Sequence, residues 1–153
     1  MLAKILIVDG EKDMLDRYGR AGGGYRMKPE EMPVKILIVD DEKDMLVRLR
    51  GMLSDKIHCE ITDTEDPFEV HGLLAEKEFD IVITDLNMPG LDGYQVLREV
   101  KQNAPDTRVI VMVSYTRADL VPKCLGAGAV DYLLKSFSTE MLLRAIERAM
   151  DLS

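Results

Sequence analysis

Five short apolar runs, separated by stretches with helical periodicity, restrict this chain's architecture more than any other feature of it. The runs are Lys35 to Val39, Ile57 to Thr62, Phe79 to Thr84, Arg108 to Val113 and Val130 to Leu134. Arg108 to Val113 is nearly all β-branched or apolar, the mark of a strand buried on both faces. Ile57 to Thr62 is the weakest of the five. Between the runs, apolar residues recur at helical spacing: Met45, Leu46, Leu49, Met52 and Leu53; then Phe68, Val70, Leu73 and Leu74; then Val96, Leu97 and Val100. A last amphipathic stretch carries Met141, Leu142, Ala145, Ile146 and Ala149, with Ser138 as its N-cap. Such alternation predicts an α/β fold, a (βα)₅ unit from about Met32 to Ser153 with helices on both faces of a parallel sheet. Pro122 is tolerated in the first turn of a helix capped by Asp119, so the fourth helix is expected to start late or to be irregular.

The first of these strands is written twice. Lys4 to Leu15 reads KILIVDGEKDML and Lys35 to Leu46 reads KILIVDDEKDML, the single difference being Gly10 against Asp41. The chain therefore divides into a duplicated strand–helix leader (1–18), a Gly-rich joint (19–33) and one folded domain (34–153). The second copy is expected in the sheet, because its amphipathic helix is longer and it connects directly to the second strand. The leader, with its β-prone KILIV, is expected to extend the edge at the second strand or to mediate a swapped dimer.

A formal net charge of −8 opposes direct binding to nucleic acid or to an anionic membrane. No apolar stretch approaches the roughly 20 residues of a membrane span, and Met1 to Asp13 has too short an apolar run for a signal peptide. Cys59 and Cys124 form no disulfide framework and read as buried, reduced thiols of a cytoplasmic protein. His58 and His71 lack metal-ligand spacing, and Asp63, Glu65 and Asp66 read as a solvated turn.

In a parallel α/β sheet, ligands bind at the carboxyl ends of the strands. Asp40 and Asp41 follow the first strand there and Asp85 the third, a cluster suited to a hard divalent cation such as Mg²⁺. Ser114 and Lys135 arrive at the same rim after the fourth and fifth strands. Acids, a hydroxyl and a fixed cation suit phosphoryl chemistry, in which positioning and charge neutralisation do most of the catalysis.

At these residues ILIVDDE, DIVITDLNMPGLDG, VIVMVS and DYLLKSF resemble, in order, the defining motifs of bacterial response-regulator receiver domains, over about residues 34–151. The resemblance implies a flavodoxin-like doubly wound sheet of strand order 2-1-3-4-5. It implies Asp85 as phosphoacceptor from a histidine kinase or phosphotransfer protein. Asp41 would bind Mg²⁺ directly and Asp40 through water, with Asp85 and the Asn87 backbone carbonyl as further ligands. Lys135 would pair with Asp85 and then with the phosphoryl oxygens. Ser114 and Tyr132 would be the switch pair, and Asn87 and Thr116 lie where the family tunes phosphoryl lifetime. A downstream protein would read the face from Thr116 to Met150, through which, or through the leader, a homodimer would form. The family's phosphorylation and dephosphorylation act on itself, so no enzyme with an external substrate is expected; the chain is expected either to signal without an output domain, by binding a partner, or to be a fragment of a longer regulator.

Two residues depart from the family pattern. Ser136 follows Lys135 where proline, joined by a cis peptide, is usual, and Tyr115 follows Ser114 where a small residue is usual, so a ring is expected to narrow access to Asp85. These departures and the leader motivate a second reading, an interaction or dimerisation module independent of phosphorylation. A metal-dependent phosphatase is a third and weaker reading, because no second catalytic acid stands out.

Overall fold

The computed structural model describes residues 32–88 and 92–151. The leader 1–18 and most of the joint 19–33 lie outside the described residues. Five strands, β1 (Val34–Val39), β2 (Cys59–Thr64), β3 (Ile81–Asp85), β4 (Arg108–Val113) and β5 (Asp131–Leu134), form one parallel sheet in the order 2-1-3-4-5. The helices between and after them are α1 (Lys43–Ser54), α2 (Val70–Glu76), α3 (Gly93–Asn103), α4 (Val121–Gly126) and α5 (Thr139–Asp151). The doubly wound (βα)₅ expectation holds, and the second copy of the repeated phrase supplies the strand between β2 and β3.

Strand alternation sorts the core into two faces. Ile36 and Ile38 of β1 point into a cluster with Leu46, Leu49 and Leu53 of α1 and Leu142, Ala145 and Ile146 of α5. Leu37 and Val39 point the other way, toward Val70 of α2, Val96, Leu97 and Val100 of α3, and Cys124 of α4. A one-residue slip of β1 would exchange the two sets, so its register is firmly specified.

Several boundaries differ from those expected. The second strand lies two residues later than the apolar pattern placed it, with Asp63 inside β2 rather than in a turn. Asp63 pairs with Arg50 of α1, whose Nη2 also donates to the Ile61 carbonyl at 3.2 Å. The His58 carbonyl accepts from Val34 of β1 and the Thr64 carbonyl from Asp40 just after it, so by the two-residue period Ile61 turns its own away from β1, to the edge of the sheet as the described residues form it. Arg50 thus caps an acceptor that an added strand would use. Asp66 closes the loop by accepting from the Phe68 N–H at 2.9 Å, and Phe68 is exposed rather than part of the apolar face. Cys124 is buried as expected but Cys59 is only partly so.

The fourth helix is short and late. A 3₁₀ segment with a non-helical residue at Arg117 covers Tyr115–Leu120, and α4 begins at Val121 with Pro122 in its first turn. Its N-cap is Leu120, not Asp119, with no side-chain cap. The Lys123 ammonium lies 4.2 Å from the centre of the Tyr94 ring of α3. Ser138 caps α5 as expected, accepting from the Met141 N–H at 3.1 Å.

Candidate functional site

The sheet delivers its chemistry at one rim, because parallel strands end together. Asp40 directly follows β1, Asp85 closes β3, Ser114 follows β4 and Lys135 follows β5. The Lys135 N–H donates to the Val113 carbonyl at 2.7 Å, extending the β4–β5 pairing to the base of the lysine. Ligand oxygens of Asp40, Asp41 and Asp85 lie within 4.8 Å of one another.

Each carboxylate has a distinct setting. Asp85 is 1% exposed. Its Oδ1 accepts from the Asn87 N–H at 3.2 Å and its Oδ2 from the Lys135 ammonium at 3.1 Å. Burial raises the Asp85 pKa above the usual carboxylate range, against the pull of the Asn87 N–H and the Lys135 charge. Asp40 is fully buried; its Oδ1 accepts from the Glu42 N–H at 2.8 Å, while Oδ2 has no hydrogen-bond partner. Burial, reinforced by Asp85 and Asp41 and opposed by the Glu42 N–H and by Lys135, raises the Asp40 pKa to about 6. Asp41 is partly exposed. Burial alone disfavours the Lys135 charge, yet Asp85, Asp40 and Glu42 raise its pKa on balance.

An orphaned, buried carboxylate oxygen beside two further carboxylates fits a hard divalent cation with oxygen ligands. An uncompensated group of this kind costs folding free energy unless an ion or a proton satisfies it.

Beyond the acids, Asn87 Nδ2 donates to Ser114 Oγ at 3.4 Å, and Ser114 Oγ lies 2.9 Å from Thr116 Oγ1. Asn87, Ser114 and Thr116 therefore form one polar chain along the rim. Tyr115 is 77% exposed, its ring in solvent instead of packed over the buried Asp85. The exposed Tyr132 of β5 borders a hollow of about 310 Å³ with Met141, Arg144 and Arg148 of α5. No cis peptide occurs among the described residues, and Ser136 instead takes φ +82°. The backbone thus turns left-handed directly after Lys135, with no proline there.

Two contributors were not legible as site residues. Glu42, the third acid of DDE, binds Asp40 through its N–H and brings Oε1 to 3.8 Å from the Lys135 ammonium. Gly93, one of the turn formers of NMPGLDG, begins α3 directly against β3. A Cβ there would fall 2.0 Å from the Asp85 carbonyl oxygen. The acidic run and the glycine were visible, but not what they touch.

Known proteins share this fold. Residues 36–147 match the family model of the response regulator receiver domain. The DNA-binding transcriptional regulator NtrC of Salmonella typhimurium is 36% identical over 89 residues, 58% of this chain and 19% of that protein. The response regulator protein FleR of Pseudomonas aeruginosa is 38% identical over 76 residues, 50% of this chain and 16% of that protein. The chain thus spans under a fifth of the length of these relatives. A response regulator receiver domain protein from Clostridium thermocellum superposes with a TM-score of 0.72 at 31% identity, covering 77% of this chain and 94% of that one. The receiver domain of NtrX from Brucella abortus gives 0.73 at 28% identity, covering 77% and 99%. With the family model matched over most of the chain and the fold in agreement, this chain belongs to the response regulator receiver domain family of two-component signalling.

Proposed function

We propose that Asp85 is the phosphoacceptor of this receiver domain. The observation that carries the reading is the buried Asp85 carboxylate, held between the Lys135 ammonium and the Asn87 N–H beside Asp40 and Asp41. An Asp85 oxygen forms a bond to phosphorus as the bond from phosphorus to the donor breaks, the leaving group keeping that electron pair. The donor is a phosphohistidine on a histidine kinase or phosphotransfer protein, and the product is an acyl phosphate. Lys135 pairs with phosphoryl oxygens as charge arrives. The turnover in this reading is self-phosphorylation and self-dephosphorylation, as for a signalling phosphoacceptor.

Asp40, Asp41 and Asp85, with the Asn87 backbone carbonyl, would hold Mg²⁺, which supplies neutralisation of phosphoryl charge when bound. Ser114 hydrogen-bonds the phosphoryl group on leaving its chain with Asn87 and Thr116, and Tyr132 turns inward to fill the space left. Asn87, Tyr115 and Thr116 tune the lifetime of the product. The face from Thr116 to Met150 is read by a downstream protein or by a second copy. NtrC is named a DNA-binding transcriptional regulator; here contact with DNA is left to such a partner or output domain.

Incubation with acetyl phosphate and Mg²⁺, followed by intact mass, tests the reading. One phosphoryl group is expected on the wild-type chain and none on Asp85→Asn. No gain on the wild type, or equal labelling of the variant, would overturn it.

A further inference from the structure

We propose that Glu42 is a positioning residue that gives the Lys135 ammonium a second, outer station beside the acceptor carboxylate. The inference rests on the reading of Asp85 as phosphoacceptor and concerns how that carboxylate becomes available. Glu42 occupies the N-cap position of α1, but its side chain makes no capping hydrogen bond. Its N–H is held by Asp40 Oδ1, which fixes the backbone, and its carboxylate extends to 3.8 Å from Lys135 Nζ. Lys135 therefore lies between a buried anion at 3.1 Å and an exposed one at 3.8 Å.

That arrangement answers a chemical difficulty. Both Asp85 oxygens already accept a donor, Asn87 N–H on one and Lys135 on the other. Each oxygen keeps a second lone pair, but attack on phosphorus draws on the carboxylate's negative charge, and an ammonium fixed on Oδ2 withdraws that charge. The Lys135 side chain is only 23% exposed, so leaving Asp85 for no other anion would strand a half-buried charge. Glu42, 66% exposed, lets the ammonium move outward while still paired. A carboxylate there also repels anionic donors, an effect of opposite sign that depends on charge and not on reach.

Glu42→Gln and Glu42→Asp separate the two. Phosphorylation is followed by intact mass across acetyl phosphate concentrations with saturating Mg²⁺. If Glu42 positions Lys135, both variants lower the limiting rate about threefold, the scale of an exposed pair, and leave the half-saturating donor concentration unchanged. Aspartate keeps the charge but is one methylene short of Lys135. Wild-type rates in Glu42→Asp, or unchanged or faster limiting rates in both variants, would overturn the proposal. The ¹⁵N resonance of Lys135 Nζ, read without any donor, is expected to shift in both variants and to stay fixed in Glu65→Gln. A fixed resonance in all three defeats the role of Glu42 alone. A wild-type chain that gains no phosphoryl group defeats the reading of Asp85 and the kinetic role of Glu42 with it.

Discussion

Because α3 begins directly against the end of β3, Gly93 carries a steric demand. Its N–H donates to the Leu86 carbonyl at 3.1 Å, and an added Cβ would also come within 2.6 Å of the Leu86 Cα. The obstacle is backbone at the end of β3, which cannot swing aside as a side chain would. Gly93→Ala is therefore expected to destabilise the fold by about 1–3 kcal/mol, read by urea denaturation, and to lower the yield of phosphorylated protein by displacing Asp85. Asp40 makes a second demand, this time electrostatic. Its pKa rises from 3.8 to about 6 in the fold, so the folded state binds that proton more tightly than the unfolded chain. The resulting stability is present below about pH 4 and is lost as pH climbs through about 6, a change on the order of 3 kcal/mol. Denaturation in EDTA is expected to show this slope, and Asp40→Asn to flatten it while losing Mg²⁺ affinity. A variant that keeps the slope would refute the assignment to Asp40. Ser136 marks a limit of legibility at this scale. The sequence raised the peptide geometry after Lys135 as a question; only the backbone shows φ +82° as the answer.

Among the elements, β2 is the exposed edge whose protection comes from a helix. Arg50 reaches from α1 to the Ile61 carbonyl and to Asp63, covering the margin of the sheet formed by the described residues. Arg50→Ala is expected to cost under about 1 kcal/mol of stability and to increase self-association, read by sedimentation at rising concentration. Unchanged association would mean that the arginine does not guard the edge. Reading β2 from sequence placed it too early, because Ile57 looks strand-like and Asp63, a poor strand former, interrupts the pattern before Thr64. The pattern that fixes its true register is pairing with β1, a long-range fact. The other strands and the late start of α4 were legible because long apolar runs and a proline act locally. Pro122 sets the beginning of α4, and Gly126 ends it after six residues.

For the molecule as a whole, fold and chemistry were readable together because a parallel sheet sends every strand's carboxyl end to one rim. Asp40, Asp85, Ser114 and Lys135 converge once strand order is set, without further information from the loops between them. Glu42 and Gly93 escaped notice because their roles lie in contacts, to Lys135 and to the β3 backbone, that no periodicity encodes. The anchoring of the helices is nevertheless uneven. α5 buries Leu142, Ala145, Ile146 and Ala149, whereas α4 buries Cys124 alone and adds the Lys123 contact with Tyr94. In hydrogen–deuterium exchange, the amides of α4 are therefore expected to exchange through a local opening, well before those of α1, α3 and α5, which await unfolding of the sheet. Equal protection of α4 and α5 would contradict this. An element so lightly moored at the rim beside Ser114 can detach at small free-energy cost while the strands beneath it stay paired.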